Sequence, residues 1–433
     1  MTQQSYAFLS NNLFSTYSGN GSYAGINSIG VGNSSVNTSI NATSIFSNTV
    51  IVGNTTSNLI INSTSISISN ISTNNITTNN VSTNNILISN VITMSDGSQI
   101  SSLFSLGPRN RLINSAMDLD QRNNGASGTA TNVYTVDRWV FGASQTGKMT
   151  WGQNLNAVTP PTGFSHYFGI QTTTAYTVTA SDYFEIYQPI EAGNIPDFMW
   201  GTSSAKNVVL SFKVYSSLTG NFGGSIQNYA GTRSYPFSYN IPTANTWTNI
   251  FVVIPGDTGG TWVLSGTAGS LNVSFSLGCG STYSGTANTW ATGTNALVQP
   301  NGSVSVVGTS SATFYLTGVQ LELGSIIPTP FERKLIGTEL ALSQRYAYFC
   351  NKTFNITSLQ SASYGISILI PVMFPVTMRA TPSMSLGIAA EVNCSGYGAI
   401  DISVYGFDLY ITMQTGSSYA YATWGSAYAV AEL

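Results

Sequence analysis

The chain predicts an all-β protein: a repetitive amino-terminal β shaft, a jelly-roll β-sandwich, a short connector helix and a closing β-sandwich. Three observations predict it. The first charged side chain is Asp96, and the residues before it carry a five-residue rhythm of β-branched side chains. Beyond residue 107, β-branched and aromatic runs recur at roughly ten- to fifteen-residue intervals between Gly, Asn, Pro and Thr clusters, the spacing of an all-β domain. One segment alone combines a helix start signal with helical spacing. The boundaries read as 1–25, 26–106, 107–335 and 336–433.

Residues 1–25 hold aromatics (Tyr6, Phe8, Phe14, Tyr17, Tyr23) and no repeat, and read as an attachment segment. In 26–106 an apolar residue stands at Ile66, Ile71, Ile76, Val81, Ile86 and Val91, with mostly Ser, Thr and Asn between. Ile26, Val31 and Val36 keep the spacing, and Ile40, Ile45 and Val50 resume it one residue out of step. A period of five fits neither an amphipathic helix nor a half-buried strand. Fixed short periods point to stacked repeats that share one core. Two ordered geometries fit, a single-chain β-solenoid and an intertwined trimer in which three chains supply each apolar layer. One apolar residue in five buries little within one chain, so the trimer is favoured, with those six residues as its shaft core. A disordered polar linker is the rival, but it leaves six apolar residues in register unexplained. The opening lacks a basic region followed by an apolar run, so no secretory signal is expected. No stretch approaches the ~18 apolar residues of a membrane span.

Strands are predicted at Tyr134–Phe141, Thr173–Thr179, Tyr183–Ile190, Asn207–Tyr215, Trp247–Ile254, Ser270–Leu277 and Ala312–Leu323, a sandwich or jelly roll. Gly337–Tyr346 is the helix, capped by Thr338, with Leu340, Leu342 and Tyr346 as its apolar face. Strands resume at Gly365–Pro371, Ser383–Ile388, Ala399–Tyr405, Phe407–Gln414 and Tyr419–Leu433, with Pro371 and Pro375 at edges.

Composition excludes several function classes. Charged residues are 7% of the chain, against about a quarter in ordinary soluble domains. Its surface must therefore be solvated by hydroxyls and amides. The 13 basic residues form no cluster and net charge is −3, which argues against a nucleic-acid partner. Cys279, Cys350 and Cys394 form no CxxC pair, and read as buried free thiols of a chain folded in a reducing cytoplasm. The single histidine, His166, nearly excludes a metal site and Ser/His or Cys/His catalysis on inventory alone, and no cofactor is expected.

Short motifs then appear in order. Asn110–Arg122 is similar to the pattern N-x-L-I-N-x-x-F-x-x-x-Q-R, and Tyr134–Trp139 to Y-x-x-D-R-W. Tyr183–Glu191 with Val209–Phe212, Leu316–Gly324 with Thr329–Arg333, Leu340–Tyr346, Met378–Pro382 and the closing Ala431–Leu433 follow. As a set they resemble the tail-fibre and tip proteins of tailed bacteriophages and related large viruses, over about 107–433. Met117 stands where the family pattern has an aromatic, and Ser343 where it often has Cys; the pentad shaft is not part of the shared set. The resemblance implies a carbohydrate-binding-like jelly roll, usually trimeric, displayed on a virion assembled in the host cytoplasm. The implied partners are copies of the chain, other virion proteins through the amino terminus, and a host-surface glycan or protein receptor.

Sugar recognition uses aromatic faces with amides and hydroxyls. The candidate ligand-binding residues are the loop aromatics Tyr229, Tyr235, Tyr283 and Trp290 in the jelly roll and Tyr419, Tyr421 and Trp424 near the tip. Asp137, Arg138 and Trp139 read as a buried Trp with an Arg–Asp pair pinning a strand end. Glu332, Glu339 and Arg345 read as an interdomain or intersubunit network. Glycoside cleavage needs two carboxylates about 5–10 Å apart. Asp182, Glu185 and Glu191 are the closest trio in sequence, with 185 and 191 on one strand face, and a structural role is favoured for Glu191. The expectation is an adhesive, non-enzymatic fibre, with a fibre-borne depolymerase or a purely structural capsid fibre as alternatives.

Overall fold

The computed structural model describes residues 108–324, 327–350, 353–358 and 367–433, with the short antiparallel pair β1 (Ile92–Thr93) and β2 (Gln99–Ile100). The attachment segment and the six predicted shaft-core residues, Ile66, Ile71, Ile76, Val81, Ile86 and Val91, lie outside the described residues.

The described chain is nearly all β and begins with a two-sheet sandwich. Its strands are β3 (Val133–Tyr134), β4 (Val140–Ala143), β5 (Met149–Gln153), β6 (Phe168–Thr172), β7 (Tyr183–Glu191), β8 (Val208–Ser216), β9 (Gly220–Asn228), β10 (Arg233–Ile241), β11 (Thr248–Ile254) and β12 (Gly269–Cys279). Short β13 (Ser284–Gly285), β14 (Ala291–Thr292) and β15 (Gln299–Pro300) precede the long β16 (Thr313–Leu323). One sheet runs β14-β10-β9-β12-β7-β4-β3 and the other β11-β8-β16-β6-β5, with every pairing antiparallel. The chain crosses repeatedly between them, as in a jelly roll. Alternation explains the burial: Phe184, Ile186 and Ile190 of β7 and Leu271, Val273, Phe275 and Leu277 of β12 enter one apolar core with Leu210, Phe212 and Val214 of β8.

α1 (Ile336–Gln344) leads to the second unit of strands. Its strands β17 (Ala347–Cys350), β18 (Phe354–Ser358) and β20 (Ser383–Val392) all pair with β23 (Ala420–Val430), and β19 (Ser367–Met373) pairs with β22 (Gly406–Met413), which also pairs with β21 (Cys394–Ile400). Phe407, Leu409, Ile411 and Met413 meet the alanines of β23 and Trp424 in a second core. The outer face of the three-stranded sheet leaves Leu369 45%, Met373 69% and Ile400 37% exposed.

Several sequence expectations are corrected. Thr173–Thr179 is a loop following β6: the Thr173 amide bonds to Lys148 O and the Thr179 amide and hydroxyl turn to Asp182. Of the strand expected at Ala399–Tyr405 only Ala399 and Ile400 are extended, as the end of β21, and the chain turns at Asp401, which takes a left-handed φ of 50°. Tyr134–Phe141 is two short strands around a turn. Thr338 lies inside α1, which starts after Leu335 without a side-chain cap. That helix buries Glu339 and Ser343 rather than Leu340 and Leu342, because the Glu339 carboxylate accepts the Asn114 amide at 2.9 Å. Arg138 pairs with Glu432, not Asp137, whose carboxylate accepts the Gln121 amide; Trp139 is buried as expected. The three cysteines are free, and Cys394 is only half-buried.

Candidate functional site

The seven-stranded sheet is unusual on its outer face. The outward residues of β9 and β12, Ser225, Gln227, Ser274 and Ser276, are buried. Residues 281–303 cover them as a strap. Gln227 Nε2 donates to Leu297 O at 3.1 Å, Ser276 Oγ to Gln299 Oε1 at 2.6 Å, and the Leu297 amide to Ser234 Oγ at 2.9 Å. Gly223 permits the close approach: a Cβ there would stand 2.6 Å from Pro300 Cδ.

The strap stops short of β7, and a groove of about 140 Å³ remains. Its lining is Tyr183, Glu185 and Tyr187 along β7, Tyr283, Ala296 and Val298 of the strap, and Asn132 beside β3. Period-two geometry places the three β7 residues on one face while Phe184 and Ile186 point into the core. The Tyr183 and Tyr283 rings meet edge to face, with centroids 5.3 Å apart. Gly142, opposite Glu185 in the sheet, keeps the floor open, since a Cβ would lie 3.1 Å from the Tyr187 ring.

Glu185 accepts a hydrogen bond from Ser274 Oγ. Burial pushes its carboxyl up to about 7, against a lowering by that hydroxyl. Burial also raises the Tyr183 and Tyr187 phenols, with the nearby Glu185 adding to it. Cys279, behind the strap, is pushed up to about 12, chiefly by burial. The site therefore offers aromatic surface, phenol hydroxyls, an amide and a carboxyl, the chemistry of a polar-ligand groove.

Of the sequence candidates, the structure brings Tyr283 into the groove. Tyr229, 45% exposed, packs over Gly269 at the Tyr187 end, close enough to add to the rise of the Tyr187 and Tyr134 phenols. Tyr235 is in the core, and half-buried Trp290 packs against Trp200 and Trp262 with its indole N–H on Pro255 O, so both belong to packing. In the second unit Tyr419 is exposed, Tyr421 half-buried, and Trp424 fully buried in the second core. Sequence reasoning missed Tyr183, Tyr187 and Asn132; the Tyr-x-Glu-x-Tyr alternation within an apolar strand was the available signal. Glu191 is taken by Arg345 at 2.6 Å and Tyr346 Oη at 2.6 Å, and Asp182 is caged by Ser144, Gln145, Tyr176 and Thr179, so neither joins Glu185 as a second free carboxylate.

No protein-family model matches the chain, and no curated protein matches it. Among solved structures, it is similar to the enzymatically active domain of bacteriophage CBA120 tailspike protein 4, at 14% identity and a TM-score of 0.27, covering 49% of this chain and 21% of that one. The chain thus spans about a fifth of that tailspike domain. It is similar to a family 61 carbohydrate-binding module in complex with β-1,4-galactotriose, at 11% identity and a TM-score of 0.27, covering 50% of this chain and 100% of that one. A family 11 module from Clostridium thermocellum, in complex with a mixed-linked tetrasaccharide, aligns at 13% identity and a TM-score of 0.24 over 47% of this chain and 98% of that one.

Proposed function

We propose that the chain is a virion fibre protein that attaches a particle to the host cell surface by binding glycan in the groove along β7. The observation that carries this reading is the groove itself: three tyrosines, an asparagine and a carboxyl on an otherwise covered sheet face. At about 140 Å³ it is smaller than the ~300–1,000 Å³ of sites that enclose a drug-sized molecule. It suits part of a longer polar chain lying along an open cleft. The fibre-like motifs of residues 107–433 and the pentad repeat before them support display on a shaft.

Self-association as a homotrimer belongs to the same reading. One apolar residue in five buries little within a single chain, which favours association of copies, and the exposed Leu369, Met373 and Ile400 offer a further apolar face to a neighbour. Several grooves per particle strengthen a weak single-site affinity. The reading is adhesion rather than cleavage, because among the described lining residues Glu185 is the one carboxylate where hydrolysis uses two.

The test is binding of the full chain to a glycan array, with Tyr187→Ala beside it. Loss of one aromatic contact is expected to weaken binding about tenfold, the equivalent of ~1.4 kcal/mol. Undiminished binding by Tyr187→Ala removes the groove from the reading, and failure of the purified fibre to compete with particles for cells removes attachment.

A further inference from the structure

We propose that this groove selects uncharged glycans against acidic ones, with Glu185 as the selecting residue. The proposal rests on the glycan-binding reading above and names its ligand class.

Glu185 is enclosed on several sides. On its own strand it is flanked by Tyr183 and Tyr187; across the sheet lie Gly142 on β4 and Ser274 and Ser276 on β12; the strap contributes Tyr283, and Cys279 at the end of β12 lies near enough to feel its charge. Among the described residues lining the groove there is no Lys, Arg or His. A site for uronates or other anionic sugars is expected to present a cation, most economically an arginine fork. Here the lining instead sets a carboxyl at the floor, with a single hydroxyl, that of Ser274, donating to it.

Such a carboxyl has two useful states. Protonated, it donates to a hydroxyl, ring or carbonyl oxygen of a neutral sugar. Ionised, it accepts from sugar hydroxyls and repels a ligand carboxylate across a short, poorly solvated gap. The raised titration of Glu185, to about 7 through burial, places both states within reach of ordinary conditions. Discrimination should therefore be strong above neutrality and fade in mild acid, where uronates keep their charge and Glu185 loses its own.

The experiment uses the full chain and a printed array of oligouronates beside their methyl esters, whose backbones match and whose charge differs, together with neutral oligosaccharides. At pH 8 the ester or neutral form is expected to bind about tenfold or more tighter than the acid, like-charge juxtaposition being costly. At pH 5.5 that ratio should fall to about threefold or less. Glu185→Gln should give the small ratio at both pH values. The wild-type pH series tests the proposal even should the variant fold poorly. Equal binding of acid and ester at pH 8, or preference for the acid, overturns the selection while leaving the glycan groove standing, provided Tyr187→Ala still weakens binding about tenfold. Binding to no glycan at all, or binding indifferent to Tyr187→Ala, overturns the groove reading and this proposal with it.

Discussion

Glu185 shows how one side chain ties stability to function. Its carboxyl titrates near 7 in the folded chain against 4.5 for an ordinary glutamate. Between those values the folded state binds more protons than the unfolded one, so stability falls as pH rises through that window. Glu185→Gln removes the penalty: unfolding at pH 8 should show the variant more stable by about 1–3 kcal/mol, with almost no difference at pH 4. Arg138 is the opposite case. It is 1% exposed, holds a left-handed φ of 71°, pairs with Glu432 and lies 3.6 Å over the Tyr346 ring. Glu432→Ala strands this guanidinium and that of Arg122, and should destabilise the chain by about 3–5 kcal/mol in urea denaturation. Arg138→Met with Glu432→Leu removes the fully buried pair and should cost less, the remainder being that of part-buried Arg122, which still loses its carboxylate. The sequence disclosed that Arg138 was structural but not its partner, which lies 294 positions away.

At the scale of elements, strand β9 explains what sequence patterning could not reach. Its run Gly220–Asn228 looks like a loop because Gly223 and Gly224 break the apolar alternation. Each glycine has a separate cause. Gly223 faces out against Pro300 of the strap, and Gly224 faces in beneath the Phe237 ring, where a Cβ would lie 2.5 Å from Cζ and 2.4 Å from the Ser274 carbonyl oxygen. The carbonyl cannot yield without shifting β12, so Gly224→Ala is expected to lower the denaturation midpoint by the equivalent of about 2–3 kcal/mol. Strands β8, β11 and β16 were legible because β-branched, aromatic and leucine side chains recur throughout them. The groove was legible only in part. Tyr183 and Glu185 sit on a predicted strand, but their meeting with Tyr283 depends on the strap, whose placement follows from polar bonds between distant segments rather than from any local period.

On the scale of the whole molecule, the two described sandwiches are fastened to one another. Arg345 and Tyr346 reach Glu191, Arg379 Nη1 donates to Thr267 O at 2.7 Å, and Tyr134 Oη donates to Leu433 O at 2.8 Å. A groove on one sandwich is thereby held in fixed orientation to the exposed sheet face of the other. If copies associate as proposed, light scattering should return three times the 45.9 kDa chain mass; a single chain mass would refute the trimer. The same long-range fastening governs synthesis. Asn110 is held by the Val319 carbonyl and the Leu321 amide, more than two hundred positions later. At ~5–20 residues per second a ribosome takes about 10–40 s to supply those partners. Throughout that interval the opening strands have their apolar faces made but no closing strand β16, so the nascent chain depends on being kept from its neighbours until about three-quarters of it has emerged.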